Sequence, residues 1–368
     1  MQTIEDFFVP WMADQKMYVS AHIELAWREP ALHRMMSNEN PHPPSQKVQE
    51  AIQAYGRIAN RYPDQGLVVR EKIAAINGLG GPENVLLGNG SSEVYDMIWR
   101  SLIFPGQGDE VIQHTPCFGI YKLRCAVCGG KLVSVPMLYE DDQLRFDPDS
   151  ILEAITPKTK AIVIANPNNP TGNFMNPEDF VRIAERGYPF VIDEAYVEFA
   201  GLGKSQVGLI ERYPNVMVTR TLSKAYGLAG LRFGYLLANK VIIDRIAATL
   251  LPWNLGTIPM WVGLAALEDT EALHERVKFN NSQVQFIQDA LADVPGLTIF
   301  PSHGNYILFD CGKAGKRGED MVAFAQERGL IFRPQPKMYA SEGFFRLTVG
   351  TEQENKEAVE AIRAFMAG

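Results

Sequence analysis

Cysteine is scarce in this chain: four in 368 residues, at positions 117, 125, 128 and 311. That is too few for a disulfide scaffold at this length and fits a reducing compartment, the cytoplasm. "CAVC", Cys125 to Cys128, has the spacing of a redox or zinc pair. No second CxxC and no histidine pair accompanies it, so no metal is expected and the thiols are read as packed in or beside a helix. A basic excess is missing too: 35 Lys and Arg stand against 43 Asp and Glu, a net charge of -8. This argues against general nucleic-acid binding and leaves room for a local basic pocket. No apolar run approaches the roughly 20 residues that cross a bilayer. The opening "MQTIEDFFVPWMADQK" has neither a basic start nor an unbroken apolar stretch, so no signal peptide is expected.

What is present is globular in kind, with 46% hydrophobic and 21% charged residues. A chain of this length favours two domains. From about residue 45 to 250 helical and strand-like spacings alternate. In "SQKVQEAIQAYGRIANRY" the residues Val48, Ile52, Tyr55, Ala59 and Tyr62 fall on one helical face that Ser45 can cap, which predicts a helix over 45–62. Seven short apolar runs follow: "NVLLGNG", "DEVIQH", "KLVSVP", "AIVIAN", "PFVIDE", "NVMVTR" and "FGYLLAN". Helical stretches such as "SSEVYDMIWRSLIF" and "NPEDFVRIAERG", the latter with Asn176 as cap and Pro177 in its first turn, lie between most of them. Strands alternating with helices imply an α/β domain with a mostly parallel sheet covered on both faces. Beyond about residue 265 a long polar helix, short strands at "LTIFP", "NYILFD", "GLIFR" and "GFFRLTVG", and a last helix capped by Thr351 imply a smaller α+β domain. The expected division is a large domain over 45–262 and a second body made of 1–44 with 263–368.

Several segments carry chemistry. "RTLSKAYGLAGLRFGY" sets Lys224 beside the hydroxyls of Thr221 and Ser223, with Arg232 eight residues on. Alone, Lys224 reads equally as a solvated loop lysine or as one bonded to a cofactor with an anionic tail. "LLGNGSSEVYDMI" places Gly90, Ser91 and Ser92 at the start of a helix, where unpaired N–H groups suit a phosphate; it has the spacing of neither a P-loop nor a Rossmann fingerprint. "IVIANPNNPTGN" leaves Asn169 at the carboxyl edge of a sheet. "FVIDEAYVEF" ends an apolar strand on Asp193, with Tyr196 three residues on, and a buried acid there needs a cation or a strong donor. Together these parts suit pyridoxal phosphate. That cofactor asks for a lysine amine (Lys224), a phosphate cradle (Ser91, Arg232), a carboxylate at its ring nitrogen (Asp193), donors at its phenolic oxygen (Asn169, Tyr196) and a flat apolar cover (Phe118 of "TPCFGIY").

In order, "SNENPHPPS", "RYPD", "GNGSSE", "NPNNPTG", "VIDEAYVEF", "TLSKAYGLAGLRFGY" and "FRLTVGT" run through nearly the whole chain. With these motifs it resembles the fold-type I, class I/II aminotransferases that use pyridoxal phosphate, in particular the histidinol-phosphate aminotransferase branch. The resemblance implies an α/β fold with a mostly parallel, seven-stranded sheet in the large domain. It implies that Lys224 forms the Schiff base and later shuttles the proton, on the way to a pyridoxamine form, with Asp193 as the pyridinium partner. Asn169 and Tyr196 would contact the phenolic oxygen, and Ser91, Thr221 and Arg232 the phosphate, with main-chain help near Gly90 and Ser92. Tyr62 resembles a tyrosine that reaches the cofactor phosphate of the neighbouring subunit, which implies a homodimer. Arg346 resembles the arginine that grips the substrate carboxylate, Arg333 stands where a second arginine is expected, and Asn40 of "SNENP" belongs to the substrate side. Two arginines suit the phosphate of histidinol phosphate and equally a dicarboxylate such as 2-oxoglutarate, so a small-molecule amino donor and a keto-acid acceptor are the partners. Trp11, Tyr18 and Trp27 of the N-terminal arm either favour an aromatic substrate or pack against the small domain. A decarboxylase of the phosphothreonine type shares most of these cofactor residues. A pyridoxal-phosphate-sensing regulator would carry a DNA-binding module ahead of this body, whereas "SNENP" begins at Ser37.

Overall fold

The seven apolar runs all become strands, and all but the edge strand "KLVSVP" are largely buried on both faces. In the computed structural model, which describes residues 3–368, they are β1 (Val85–Asn89), β2 (Glu110–Thr115), β3 (Lys131–Pro136), β4 (Thr159–Ala165), β5 (Phe190–Asp193), β6 (Val216–Thr221) and β7 (Phe233–Ala238). Their order in the sheet is β1, β7, β6, β5, β4, β2, β3. Every pairing is parallel except the two made by β7, which runs against both β1 and β6. Alternate residues feed two cores. Ala161, Val163, Val191 and Met217 enter one, and Ile162, Ile164, Ile192 and Val218 the other. That double burial is why the strands read as unbroken apolar runs.

The strand order reverses between β2 and β4, and open α/β sheets bind ligands at such a point, outside the carboxyl ends of the strands. Asp193 ends β5, Thr221 ends β6, and Gly90 follows β1. Because β7 is antiparallel, its first residues lie at that same edge, so Arg232, just before it, joins them.

A second sheet has four antiparallel strands: β8 (Thr298–Ile299), β9 (Tyr306–Asp310), β10 (Arg333–Pro334) and β11 (Phe344–Thr348), in the order β8, β9, β11, β10. Helices Thr270–Leu291, Gly318–Gln326 and Glu352–Ala367 cover it around a separate core that includes Ile287, Phe309, Met321, Phe345 and Ile362. The last helix opens with a reciprocal cap: Thr351 Oγ1 accepts from Glu354 N, and Thr351 N donates to Glu354. The arm joins this second body. His33–Arg34 pairs in parallel with Leu330–Ile331, and Ala26, Met36 and Ile331 pack together.

Two expectations are corrected. The helix predicted over 45–62 is Gln46–Gly56: Ser45 caps it, but it ends at a glycine, the poorest helix former after proline, and Tyr62 precedes Pro63. Trp11 meets neither the carboxyl edge of the sheet nor the small domain. Its indole N–H donates to the Val127 carbonyl at 3.1 Å on the large sheet's flank. "CAVC" lies in and just after helix Ile120–Val127, where burial pushes the Cys125 thiol up to about 12 and the Cys128 thiol up to about 11.

Candidate active site

The edge just described opens into a cavity of about 360 Å³ closed over by the second body and the arm. Ser91, Ser92, Phe118, Asn169, Asp193, Tyr196, Thr221, Lys224, Arg232, Arg333 and Arg346 all line it. Three expected residues do not. Gly90 stands behind the wall: with φ at 75° it starts helix Ser91–Leu102, and a Cβ there would collide with the Arg232 guanidinium. Asn40 lies outside, where its Oδ1 accepts from His42 N at 3.0 Å in a local turn. Asn38, two residues earlier, takes the cavity position instead. Tyr62 is 78% exposed and stacks on Trp253 at 4.4 Å between ring centroids, on the outer surface.

The floor is tightly bonded. Asp193 Oδ1 accepts from Ala195 N at 3.0 Å and Oδ2 from the Tyr121 hydroxyl at 2.5 Å. Burial pushes the Asp193 carboxyl up from its ordinary range, and hydrogen bonds from Tyr121 and Tyr95 pull against that. Among the described residues no cation pairs with it, so a protonated ring nitrogen would supply what a buried carboxylate needs. Tyr121 and Tyr95 were not singled out in the sequence, where aromatic residues on helices read as core, and both are fully buried there.

The Lys224 amine sits between cations. Burial first, then Arg346, lower its pKa to about 8, with Arg232 adding to the fall and Glu39 and Asp193 opposing it. An amine titrating near neutrality is a usable nucleophile and proton carrier. Tyr196 offers its hydroxyl to the cavity and accepts from Asn38 Nδ2 at 2.8 Å and Asn169 Nδ2 at 3.3 Å. Ser91 and Ser92 open a helix, Arg232 is exposed beside them, and together they form an anion cradle. The amine, the carboxylate, the donors and the anion cradle present therefore fit pyridoxal phosphate.

The side of the cavity lined by Arg346 and Arg333 is less filled. Arg346 is 8% exposed; it donates to Asn169 Oδ1 and, at 2.7 Å, to the Met36 carbonyl, while its Nε has no partner among the described residues. Arg333 is its register partner across β10 and β11. Like charges directly opposite one another are destabilising unless an anion lies between them. Tyr18, Ser20 and Ile23 of the arm complete this wall.

A profile of the aminotransferase class I and II family matches residues 32–362. The chain belongs to this family. Among curated relatives, the aminotransferase is 35% identical to a histidinol-phosphate aminotransferase of Maricaulis maris over 341 residues, 90% of this chain and 91% of that one. Among solved structures it is similar to the histidinol-phosphate aminotransferase of Sinorhizobium meliloti in complex with pyridoxal-5'-phosphate, with a TM-score of 0.87, 26% identity and 98% of each chain covered. An L-threonine-O-3-phosphate decarboxylase of Porphyromonas gingivalis shares the fold at a TM-score of 0.78 and 20% identity, covering 91% of this chain and 99% of that one. Among the described residues of this aminotransferase, no helix is long and apolar enough to cross a membrane.

Proposed function

We propose that this aminotransferase works with pyridoxal phosphate and moves an amino group from histidinol phosphate, or a donor of like charge, to a keto acid such as 2-oxoglutarate. The observation that carries the reading is the meeting of Lys224, Asp193, Tyr196, Asn169 and Arg346 in one cavity, although they come from well-separated stretches of chain. The family match and the named relatives support it. Bound there, the cofactor would supply an aldehyde that exchanges amines and a ring that withdraws electrons from the donor's α-carbon.

The chain's own groups do the rest. Asp193, held by Tyr121 and Ala195, keeps a proton on the ring nitrogen. Tyr196 and Asn169 donate at the phenolic oxygen, Ser91, Ser92, Thr221 and Arg232 hold the phosphate, and Phe118 covers the ring. Lys224 Nζ carries the proton at the donor's α-carbon, which an amine titrating at about 8 can both take and return. Arg346 grips a carboxylate bidentately, and Arg333 adds the second charge a phosphate-bearing donor needs.

In this reading 45–262 holds the cofactor, the arm and 263–368 cover the substrate, and the enzyme works in the cytoplasm, a reading that the free cysteines support. A second copy completes the site. The exposed Tyr62 and Trp253 pair, with Leu67, Val68 and Leu251 also exposed, supplies an apolar face for it, and Tyr62 reaches across. The test is Lys224→Ala: borohydride should fix the cofactor on Lys224 of the wild-type chain, and the variant should lose that linkage and all transamination. An active variant overturns the reading. Dependence of turnover on added keto acid separates amino transfer from decarboxylation.

A further inference from the structure

The stretch Met36–Asn38, which leads out of the arm, presents three consecutive carbonyls to two cations. Met36 O accepts from Arg346 Nη2 at 2.7 Å, while Ser37 O and Asn38 O each accept from Lys224 Nζ at 3.2 Å. Lys224 and Arg346 repel one another, since Arg346 is the charge that most lowers the lysine. Main-chain carbonyls facing both amines offset that repulsion.

The strap is not held by sequence-local geometry. Asn38 has φ at 54°, in the left-handed region that disfavours a residue with a side chain, although asparagine tolerates it better than most. It is 1% exposed and clamped from both bodies. Its N–H donates to Thr348 Oγ1 at 2.9 Å, its Oδ1 accepts from the same hydroxyl at 3.1 Å, and its Nδ2 donates to the Tyr196 hydroxyl at 2.8 Å. Thr348 stands two residues beyond Arg346 on β11, so one short strand carries both the substrate-gripping cation and the anchor of the strap.

We propose that Asn38 is a positioning residue for the Lys224 amine: clamped between Thr348 and Tyr196, it aims the Ser37 and Asn38 carbonyls at Nζ and so parks the free ammonium beside the reacting centre. The inference rests on the reading of Lys224 given above. The charged groups that bear on the amine are Arg346, Arg232, Glu39 and Asp193, and none of them belongs to the strap's clamp. Losing the two acceptors disfavours the ammonium, so the amine should titrate lower.

The experiment uses the full chain freed of cofactor. Lys224 is titrated by its pH-dependent acylation, read by peptide mass mapping, in Asn38→Gly, which keeps the left-handed backbone and its N–H but removes the side-chain part of the clamp, and in Thr348→Val. Both should lower the Lys224 midpoint, by about one unit, since hydrogen bonding to the charged form favours it. Thr348→Ser should restore the wild-type value. With cofactor added, kcat should fall about tenfold in the first two while the KM of the amino donor stays within about twofold, as for a group that acts on proton transfer rather than binding. An unchanged midpoint in Thr348→Val, or a Thr348→Ser chain that behaves like the valine variant, overturns the proposal. Should Asn38→Gly fail to fold, the Thr348 pair decides alone. If borohydride links the cofactor elsewhere than Lys224, the functional reading fails, whereas the strap is still judged by the midpoint in the cofactor-free chain.

Discussion

The floor and the rim of the cavity are built on opposite plans. At the floor, Asp193, Tyr121, Tyr95 and Thr219 are buried and bonded to one another or to main chain. Behind them Arg220 and Glu194 form a fully buried ion pair at 2.9 Å, with Ser205 Oγ and Gln206 N donating to the same carboxylate. At the rim, Arg232 is exposed, Arg333 faces Arg346 across the strands, and Arg346 Nε is unpartnered among the described residues. Groups that must hold one geometry are tied down by the protein, and groups that must receive a ligand keep hydrogen-bonding capacity in reserve. A satisfied polar floor rigidifies, while an incomplete rim lowers its energy by binding an anion.

Breaking the floor should do the most damage. Asp193→Asn keeps the shape but turns one of the two accepting oxygens into a donor, and a neutral amide cannot hold a proton on the ring nitrogen. The expected outcome is a cofactor still bound, by absorbance, with turnover down on the order of a thousandfold, comparable to losing a preorganised electrostatic partner. Turnover near the wild-type value would remove Asp193 from the mechanism.

The rim should respond less and unequally. Arg346→Lys gives up a planar fork in a buried position and should lower kcat/KM by about a hundredfold for both the amino donor and the keto acid. Arg333 is half-buried, and Arg333→Lys should cost about tenfold, with the donor affected more than the keto acid. Steady-state kinetics of the two half-reactions measure this. Equal losses for both substrates in both variants would mean that the arginines act as a pooled charge rather than as two subsites.

The same contrast marks what could be read from the sequence. The floor's backbone was legible, because strands buried on both faces leave apolar runs and their ends fix Asp193 and Thr221. Its second layer was not: Tyr121 and Tyr95 look like ordinary helix-face aromatics until the fold points their hydroxyls at Asp193 and Thr219. At the rim the motif "SNENP" pointed to Asn40. Asn38 rather than Asn40 lines the cavity, because the left-handed turn at Asn38 is set by Thr348, 310 residues away. The helix over 45–62 was overdrawn since periodicity continued past Gly56, where backbone freedom, invisible to a count of apolar residues, ended it. Trp11 could not be placed because its partner is a main-chain carbonyl, which carries no sequence signal.

The floor also holds one exception to its own rule, and it gives the most discriminating small effect. Glu198 is 5% exposed near the Arg220–Glu194 pair, and its Oε2 has no partner among the described residues. Burial raises its pKa from 4.5 to about 7, with Arg220 pulling it down and Glu194 pushing it up. The unfolded chain releases this proton near the ordinary value while the folded chain keeps it, so between those two pH values each step upward favours unfolding, and above the folded value the whole penalty is present. Glu198→Gln mimics the protonated side chain and cannot titrate. It should therefore stabilise the protein by about 3 kcal/mol at pH 8 and by less than about 1 kcal/mol at pH 5, with activity close to wild type, because Glu198 does not line the cavity. Urea unfolding at the two pH values reads the difference. No gain at either pH would mean that the carboxyl is charged throughout and that Arg220, shared between two glutamates, compensates its burial fully. The floor would then be an ion triad with no neutral member, as completely bonded as the Asp193 layer in front of it.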